Sequence, residues 1–377
     1  MENFAKPSKI MTKSSIHPND FSRTTAQDVL RLKIHNQGPL SVHDFMMIAN
    51  TYYYATRDPL GKKGDFTTSP EISQLFGEII AIAILSQWQE LRSPSRIKLA
   101  ELGPGRGTLM TDFLRIAKQV KKFRDAFSIS LLENSPVLRE KQRSSLPNET
   151  VRWFNSLENL LSQAEPRPLF LVANEFLDAL PVHQYEKTLS GWKERAISLA
   201  KNGQFAWDFT KTSGVNNSVF QSHKASFLEI APERSQVVFK IAKYINTYGG
   251  CAIFIDYGDQ NLDGNTLQAV KNHSYCPILE NPGEADLTSH VDFSALQKSL
   301  HNLSGIKSIF ETQRSFLKRH YGDLHLENIL KNATPEQARH LQRGYERLIN
   351  LDQMGSLFKV LTLLPKKNIC NSFIEDS

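Results

Sequence analysis

The stretch Glu101-Leu102-Gly103-Pro104-Gly105-Arg106-Gly107-Thr108 decides the fold. It follows the short apolar run IKLA (97–100) and precedes LMTDFLRIAKQV (109–120), whose apolar residues recur at helical spacing. A glycine-rich turn between a strand and a helix lets the backbone approach a ligand closely, and the helix N-terminus offers unpaired N–H groups to an anionic group. The turn therefore predicts a nucleotide-like cofactor at the end of a buried strand.

The spacing within this turn indicates which cofactor binds. A dinucleotide turn reads GxGxxG, whereas from Gly103 this turn reads GxGxG and has Thr108 where the third small residue belongs. NAD is therefore disfavoured. Glu101 lies two residues before the first glycine and suits a cofactor with a cationic amino-acid end, as S-adenosylmethionine has. We expect Glu101, Gly103, Gly105 and Gly107 to bind that cofactor.

Two further residues are candidates for the adenosine part of the cofactor. Glu133 ends the next predicted strand, FSISLLEN (127–134), where an acid can accept both ribose hydroxyls. NAD-binding folds use the same device, so Glu133 alone does not discriminate, and a solvated strand cap is the alternative. Asn155 follows the predicted third strand, VRWF (151–154), and is a candidate for the adenine edge.

The end of the predicted fourth strand, PLFLVANE (168–175), supplies candidate residues that face whatever accepts the transferred group. In open α/β sheets, ligands bind beyond the carboxyl ends of the strands, so Asn174, Glu175 and Asp178 are expected there. If a helical turn begins at Glu175, then Glu175 and Asp178 share one side and form a pair that holds a cation. The alternative is that Asp178 only caps a turn before Pro181.

The rest of the chain predicts an α/β fold. Residues 26–92 have helical spacing, and the apolar runs CAIFIDYG (251–258) and LFKVLTLL (357–364) read as buried strands between helical stretches. Apolar and polar residues alternate within 182–235, which indicates an inserted β meander. Residues 314–353 indicate a helical insertion. We predict a flexible N-terminus (1–25), an N-terminal helical region (26–92), a core with these two insertions (93–365) and a tail (366–377).

Composition excludes several classes of function. The three cysteines form no CxxC pair, which argues against a disulfide framework or a zinc site, and we expect no metal. The net charge of +6 is diffuse, and its densest cluster, residues 118–124, reads as a solvated helix face, so we expect no nucleic-acid partner. The longest apolar run, residues 79–85, is too short to cross a membrane, and no secretory signal is visible, so a soluble protein is expected.

Five segments of the chain carry a family resemblance: GDFTTSPEISQLFGE (64–78), ELGPGRGTL (101–109), NEFLDALPVHQ (174–184), FIDYG (254–258) and PGEADLTSHVDF (282–293). They resemble the MidA-like class I S-adenosylmethionine-dependent methyltransferases. The resemblance spans about residues 26–365 and implies a Rossmann-like, seven-stranded methyltransferase core. The family includes a mitochondrial arginine methyltransferase that assists assembly of respiratory complex I, which implies symmetric dimethylation of an arginine in a core subunit of that complex.

Two segments of the resemblance raise questions of their own. Where the family leads us to expect Ala-Asp, this chain has Ser289-His290, so an acid that would contact the substrate is absent. Thr67, Thr68 and Ser69 precede a helix start at Pro70. Their hydroxyls either close over the methionine end of the cofactor or cap that helix.

The predicted function is protein arginine methylation. Glu175 is expected to hold the guanidinium and accept its proton, with Asp178 and Asn174 completing the contact. The alternatives are a cofactor-binding assembly chaperone without methyl transfer and a small-molecule methyltransferase. A bacterial protein would be cytoplasmic and a eukaryotic one would lie in the mitochondrial matrix; no oligomeric state is predicted.

Overall fold

A computed structural model describes residues 24–56, 61, 64–65, 67–162, 166–210, 220 and 225–366. The predicted flexible N-terminus and C-terminal tail fall almost wholly outside these residues. The helices of the described residues are α1 Ala26–Gln37, α2 Val42–Thr56, α3 Ser69–Ile72, α4 Gln74–Glu90, α5 Thr108–Ala117, α6 Lys121–Asp125, α7 Pro136–Ser145, α8 Leu157–Leu161, α9 Pro232–Tyr248, α10 Phe293–Ser299, α11 Gln313–Arg319, α12 Gly322–Leu330, α13 Pro335–Ile349 and α14 Met354–Leu357.

The strands form three sheets in the described part of the chain. Their bounds are β1 Leu40–Ser41, β2 Ile97–Leu102, β3 Phe127–Leu132, β4 Val151–Phe154, β5 Leu169–Asn174, β6 His183–Thr188, β7 Gly191–Leu199, β8 Phe205–Phe209, β9 Phe227–Ile230, β10 Gly250–Asp259, β11 Gln268–Lys271, β12 Ser274–Tyr275, β13 Asp286–Thr288, β14 Val291–Asp292, β15 Ile306–Thr312 and β16 Phe358–Pro365.

The central sheet has the order β4-β3-β2-β5-β10-β16-β15, and the short β14 pairs with β10. Strand β16 runs antiparallel to both of its neighbours, whereas β2, β3, β4, β5 and β10 are mutually parallel. The predicted α/β, Rossmann-like core of seven strands is confirmed. The chain moves outward from β2 to β4 and then returns to β5 on the other side of β2. This reversal is the switch point where open α/β sheets bind ligands.

Helices cover both faces of the central sheet. Strands β2 and β5 are buried along their whole length, as expected for central strands of a parallel sheet. On one face, α4 and α5 contribute Ile80 and Phe113 to the core. On the other face, α9 contributes Ile241, which belongs to a second buried cluster with Phe254 of β10.

The segment predicted as a meander contains the four strands β6 to β9. Strand β7 pairs antiparallel with β6 and β8, and β6 also pairs with β9. The glycines of the two turns, Gly191 and Gly203, have φ of 101° and 80°, which only glycine adopts readily. Strand β1, from the region predicted as helical, adds two residues to this sheet.

Three features were not predicted from the sequence. The small sheet of β11, β12 and β13 was missed because its strands have only two to four residues. Strand β15 belongs to the predicted seven-stranded core, but its position in the sequence was not predicted. Strand β1 interrupts the region predicted as helical. Helices α11 to α13 occupy the predicted helical insertion, and α14 follows it. Helix α13 begins after Thr334, whose side chain accepts from the Gln337 N–H. None of the helices in the described residues is long and apolar enough to cross a membrane.

Candidate active site

The glycine-rich turn joins β2 to α5 and needs all three of its glycines. Gly103, Gly105 and Gly107 have φ of 62°, 54° and 82°, in the left-handed region that side chains disfavour. A Cβ atom on Gly103 would also lie 3.0 Å from the ring of Phe176. The GxGxG spacing is therefore the sequence signature of this backbone path, which ends where Gly107 caps α5.

A cavity of about 470 Å³ lies at the switch point of the sheet, beside the glycine turn. Helix α2 also contributes to its wall, through Asn50 and Tyr54. Of the residues predicted for the site, Gly107, Thr67, Ser69 and Asp178 are not part of the cavity wall among the described residues. Those that line it are Thr68, Glu101, Gly103, Gly105, Glu133, Asn155, Asn174 and Glu175.

Glu101, the residue before the last of β2, lines the cavity and has an incomplete set of hydrogen bonds. Its side chain is buried, and its Oε2 has no hydrogen-bond partner among the described residues. Burial and the nearby Glu133 raise the pKa of Glu101 to about 8. A ligand that brings a cationic donor to Oε2 would satisfy this atom and favour the ionised carboxylate.

Glu133 is tied to the glycine turn through Gln142 of α7. The Glu133 carboxylate accepts from the Ser135 N–H at 2.8 Å and from Gln142 Nε2 at 3.2 Å. Gln142 Nε2 also donates to the Gly105 carbonyl at 2.7 Å. A carboxylate has about four acceptor positions, so Glu133 retains capacity for ligand hydroxyls. Gln142 was not predicted, because a glutamine within a polar helix carries no distinguishing signal.

Asn155, which follows β4, lines the cavity and is exposed. Its Oδ1 accepts from Arg139, which also donates from Nε to the Glu133 carbonyl at 2.9 Å. Arg139 therefore fixes the Asn155 side chain relative to β3. The role predicted for Asn155 at an adenine edge stays a prediction.

The segment of residues 67–71 docks on the glycine turn. Thr68 is the N-cap of α3, but its side chain makes no capping hydrogen bond. Ser69 is fully buried; its N–H donates to Glu175 Oε1 at 3.3 Å, and its Oγ has no partner in the described chain. Glu71 accepts from the Thr108 hydroxyl at 2.6 Å. Of the three predicted hydroxyl residues, Thr68 alone contributes to the cavity wall.

Glu175 follows β5 in a left-handed conformation, with φ of 48°. Its Oε1 accepts from Asn174 Nδ2 at 3.1 Å and from the Ser69 N–H. Burial and the nearby Asp178 raise the pKa of Glu175 to about 8. A non-glycine residue in this conformation is strained, and such strain is concentrated at functional sites. The Asn174 side chain also lines the cavity, and its Oδ1 has no partner among described residues.

The expected pairing of Glu175 with Asp178 on a helical turn differs from the structure. Residues 175–180 form a tight turn without helix, because Asp256 of β10 accepts the N–H groups of Leu177 and Asp178 at 3.0 and 3.2 Å. Asp178 is buried behind the cavity wall, and its side chain hydrogen-bonds to Tyr257. Asp178 therefore influences Glu175 by its charge and does not line the cavity.

Arg234, at the start of α9, fixes the other end of this turn. It is buried and donates to the carbonyl oxygens of Asp178 and Leu180, each at 3.0 Å. It also donates to Ser289 Oγ at 2.6 Å and to the His290 carbonyl at 2.8 Å. Ser289-His290, where the sequence departs from the expected pattern, thus contributes acceptors that hold Arg234.

A match to a known protein family shows which family the chain belongs to. Residues 79–312, more than half of the chain, match a family model described as "Putative S-adenosyl-L-methionine-dependent methyltransferase". The chain belongs to this methyltransferase family. The expected resemblance is confirmed, and S-adenosylmethionine is the cofactor that the family name gives.

Named relatives match the methyltransferase over nearly its whole length. The protein called "Protein arginine methyltransferase NDUFAF7, mitochondrial" of Danio rerio is 33% identical over 393 residues, covering 95% of this chain and 91% of that protein. The human protein of the same name is 33% identical over 377 residues, covering 90% and 83%. A crystal structure of a Burkholderia thailandensis protein bound to S-adenosyl-homocysteine is 22% identical, with a TM-score of 0.77 and coverage of 95% and 96%.

The residues of the cavity fit S-adenosylmethionine. Glu101 Oε2, which has no partner in the described part of the chain, suits the cationic amino-acid end, and Glu133 has acceptor capacity for hydroxyls. The end of β5, with Asn174 and Glu175, lines the same cavity. Six residues in or around the site were not assigned a role from the sequence: Asn50, Tyr54, Gln142, Arg234, Asp256 and Asp286. Two of them, Asp256 and Asp286, lie within the quoted motifs.

Proposed function

We propose that this methyltransferase modifies arginine side chains of a protein. The proposal rests on Glu175, a half-buried residue that follows β5 and lines the cofactor cavity. It lies next to Asn174, whose Oδ1 has no hydrogen-bond partner among the described residues. The relatives named as protein arginine methyltransferases support the same acceptor. A guanidinium carries five N–H donors and no acceptor, so it complements oxygen atoms of this kind.

Glu175 has two tasks in the proposed reaction. When bound, S-adenosylmethionine supplies an electrophilic methyl group on a positively charged sulfur. Glu175 holds the acceptor guanidinium by hydrogen bonds and so aligns one nitrogen with the methyl carbon. As the N–C bond forms and the C–S bond breaks, Glu175 accepts the proton that the nitrogen loses. A pKa near 8 suits a carboxylate that receives a proton near neutral pH.

The family resemblance extends the proposal to a specific product and substrate. We infer symmetric dimethylation of an arginine in a core subunit of the peripheral arm of respiratory complex I, or in the bacterial homologue of that subunit. The reaction would take place where that arm is assembled, in the mitochondrial matrix of a eukaryote or the cytoplasm of a bacterium. The mitochondrial names of the relatives support the first setting.

Transfer of a labelled methyl group tests the proposal. The purified protein is incubated with S-adenosylmethionine labelled in its methyl group and with extract from cells that lack the protein. Acid hydrolysis of the labelled protein fraction should release methylated arginine, and Glu175→Gln should abolish most of this label. Cofactor binding without label in protein would favour the assembly chaperone, and label in the low-mass fraction would favour a small-molecule methyltransferase.

A further inference from the structure

Helix α2 brings two polar side chains, one turn apart, to the wall of the cavity. Asn50 and Tyr54 are separated by four residues and therefore lie on the same face of α2. Asn50 donates to the Leu287 carbonyl at 2.7 Å and to the Ala179 carbonyl at 3.0 Å, and its Oδ1 accepts from the Leu287 N–H at 3.2 Å. Asn50 thus fixes α2 against β13 and against the turn that follows Glu175.

The hydroxyl of Tyr54 is held by Asp286 of β13. Tyr54 Oη donates to Asp286 Oδ1 at 2.7 Å, and Asp286 is only 5% exposed. A phenol has one O–H hydrogen, and Tyr54 donates it to Asp286. Tyr54 Oη can therefore bind another partner only as a hydrogen-bond acceptor, through its lone pairs. Tyr54 lines the same cavity as Asn174 and Glu175.

We propose that Tyr54 is an acceptor-orienting residue, which takes one N–H of the substrate guanidinium while Glu175 takes others. This inference rests on the proposed arginine acceptor. The three oxygen-bearing groups, Tyr54 Oη, Asn174 Oδ1 and the Glu175 carboxylate, come from α2 and from the end of β5. Together they match a planar group with donors on several sides, and contacts from two elements fix the plane of that group as well as its position.

This arrangement selects against groups that present an oxygen in place of an N–H. Citrulline has the size and plane of arginine but replaces one nitrogen by a carbonyl oxygen, which would face the lone pairs of Tyr54 or Glu175. A site built from acceptors excludes such an analogue strongly, because its own buried polar atoms would stay unpaired. Tyr54 therefore contributes to specificity as well as to orientation.

Tyr54→Phe tests the proposal, and Tyr53→Phe is its matched control. Both tyrosines lie on α2 and donate to a buried carboxylate, which for Tyr53 is that of Asp65 at 2.7 Å. Unlike Tyr54, Tyr53 does not contribute to the cavity wall in the described residues. In Tyr54→Phe, methyl transfer to arginine in the cell extract should fall about 10- to 100-fold, the range for losing a hydrogen bond to a charged group. Cofactor affinity should stay within about twofold, and Tyr53→Phe should transfer within about threefold of wild type.

A binding measurement separates this inference from the proposed function. Saturation-transfer NMR of the complex with S-adenosylhomocysteine should detect Nα-acetyl-arginine amide but not the citrulline analogue, and Tyr54→Phe should lose that preference. If arginine is preferred through Tyr54 while no protein is methylated, the proposed function fails and the inference stands. If methylarginine forms and Tyr54→Phe transfers at the wild-type rate, the inference fails alone. Equal losses in both tyrosine variants, or a loss of cofactor affinity in Tyr54→Phe, would also overturn it.

Discussion

Gln142 donates from its side-chain amide to the backbone carbonyl of Gly105 over 2.7 Å. The same nitrogen reaches Glu133 Oε2 at 3.2 Å, and the Gln142 Oε1 accepts from the Trp153 indole at 2.8 Å. One fully buried side chain thus joins the glycine turn, the tip of β3 and strand β4. This contact fixes the relative position of the glycine turn and Glu133, the two parts of the predicted cofactor site.

Replacement of Gln142 by leucine should weaken cofactor binding. The variant leaves the Gly105 carbonyl and one Glu133 oxygen without their donor, so binding of S-adenosylmethionine should weaken by about 1–2 kcal/mol, or roughly 5- to 30-fold. Isothermal titration calorimetry measures the change. Gln313→Leu is the control, because Gln313 is also fully buried and donates to a backbone carbonyl, that of Leu348, at 2.9 Å. The control should lose stability but keep cofactor affinity; equal losses of affinity would contradict this role of Gln142.

The sequence was most informative where the backbone itself needs particular residues. Three glycines with positive φ can be recognised as a motif, and acids at the tips of β2, β3 and β5 follow from strand ends that are visible as apolar runs. The α/β core was predictable because its strands are buried on both faces and therefore appear as short apolar runs.

Contacts between segments distant in the chain could not be predicted in this way. Asp256 bonds to residues 78 and 79 positions earlier, and Asn50 bonds to a residue 237 positions later. Such pairings depend on how the elements pack, which no local pattern encodes. The same limit explains why Asp178 was expected at the acceptor, since the capping of its turn by Asp256 was not visible.

Asp256→Ala should destabilise the turn that carries Glu175. The variant leaves the N–H groups of Leu177 and Asp178 buried without acceptors, at about 1–3 kcal/mol each. The free energy of unfolding in urea should therefore fall by about 2–6 kcal/mol. Asp259→Ala is the control, because Asp259 ends the same strand with an exposed side chain bonded to Lys359, and it should cost about 0–1 kcal/mol. Equal losses would show that the capping of the turn contributes little.

The stability of the protein without cofactor should fall as pH rises from about 5 to about 8. Burial raises the pKa of Glu101 and Glu175 from 4.5 to about 8, and that of Asp286 from 3.8 to about 8. The folded state therefore binds more protons than the unfolded state in this window, and stability decreases with pH until these groups ionise. Urea midpoints at pH 5, 6, 7 and 8 measure the trend, and Glu101→Gln should reduce its slope. A midpoint that increases over this range would contradict the assignment.

Glu175→Gln should separate catalysis from cofactor binding. The variant keeps the shape of the side chain and its contact with Asn174, but it removes the charge that pairs with a guanidinium and the site that accepts the proton. Methyl transfer should fall by roughly 10²–10⁴-fold, the range for losing a positioned base, whereas cofactor affinity should stay within a few-fold. A collapse of cofactor affinity would instead assign Glu175 to the cofactor site, and transfer at the wild-type rate would remove it from the reaction.

The pH dependence of Asp178→Asn should show how Asp178 acts on Glu175. Since Glu175 must be ionised to hold the guanidinium, kcat/KM of the wild type should rise with pH up to about 8, and Glu175→Gln should lack this limb. Asp178 is one cause of the raised pKa of Glu175, so Asp178→Asn should retain most of the transfer and move the limb to lower pH. If Asp178 works only through Glu175, the double variant should be little worse than Glu175→Gln. A separate, multiplicative loss in the double variant would mean that Asp178 contacts the acceptor itself.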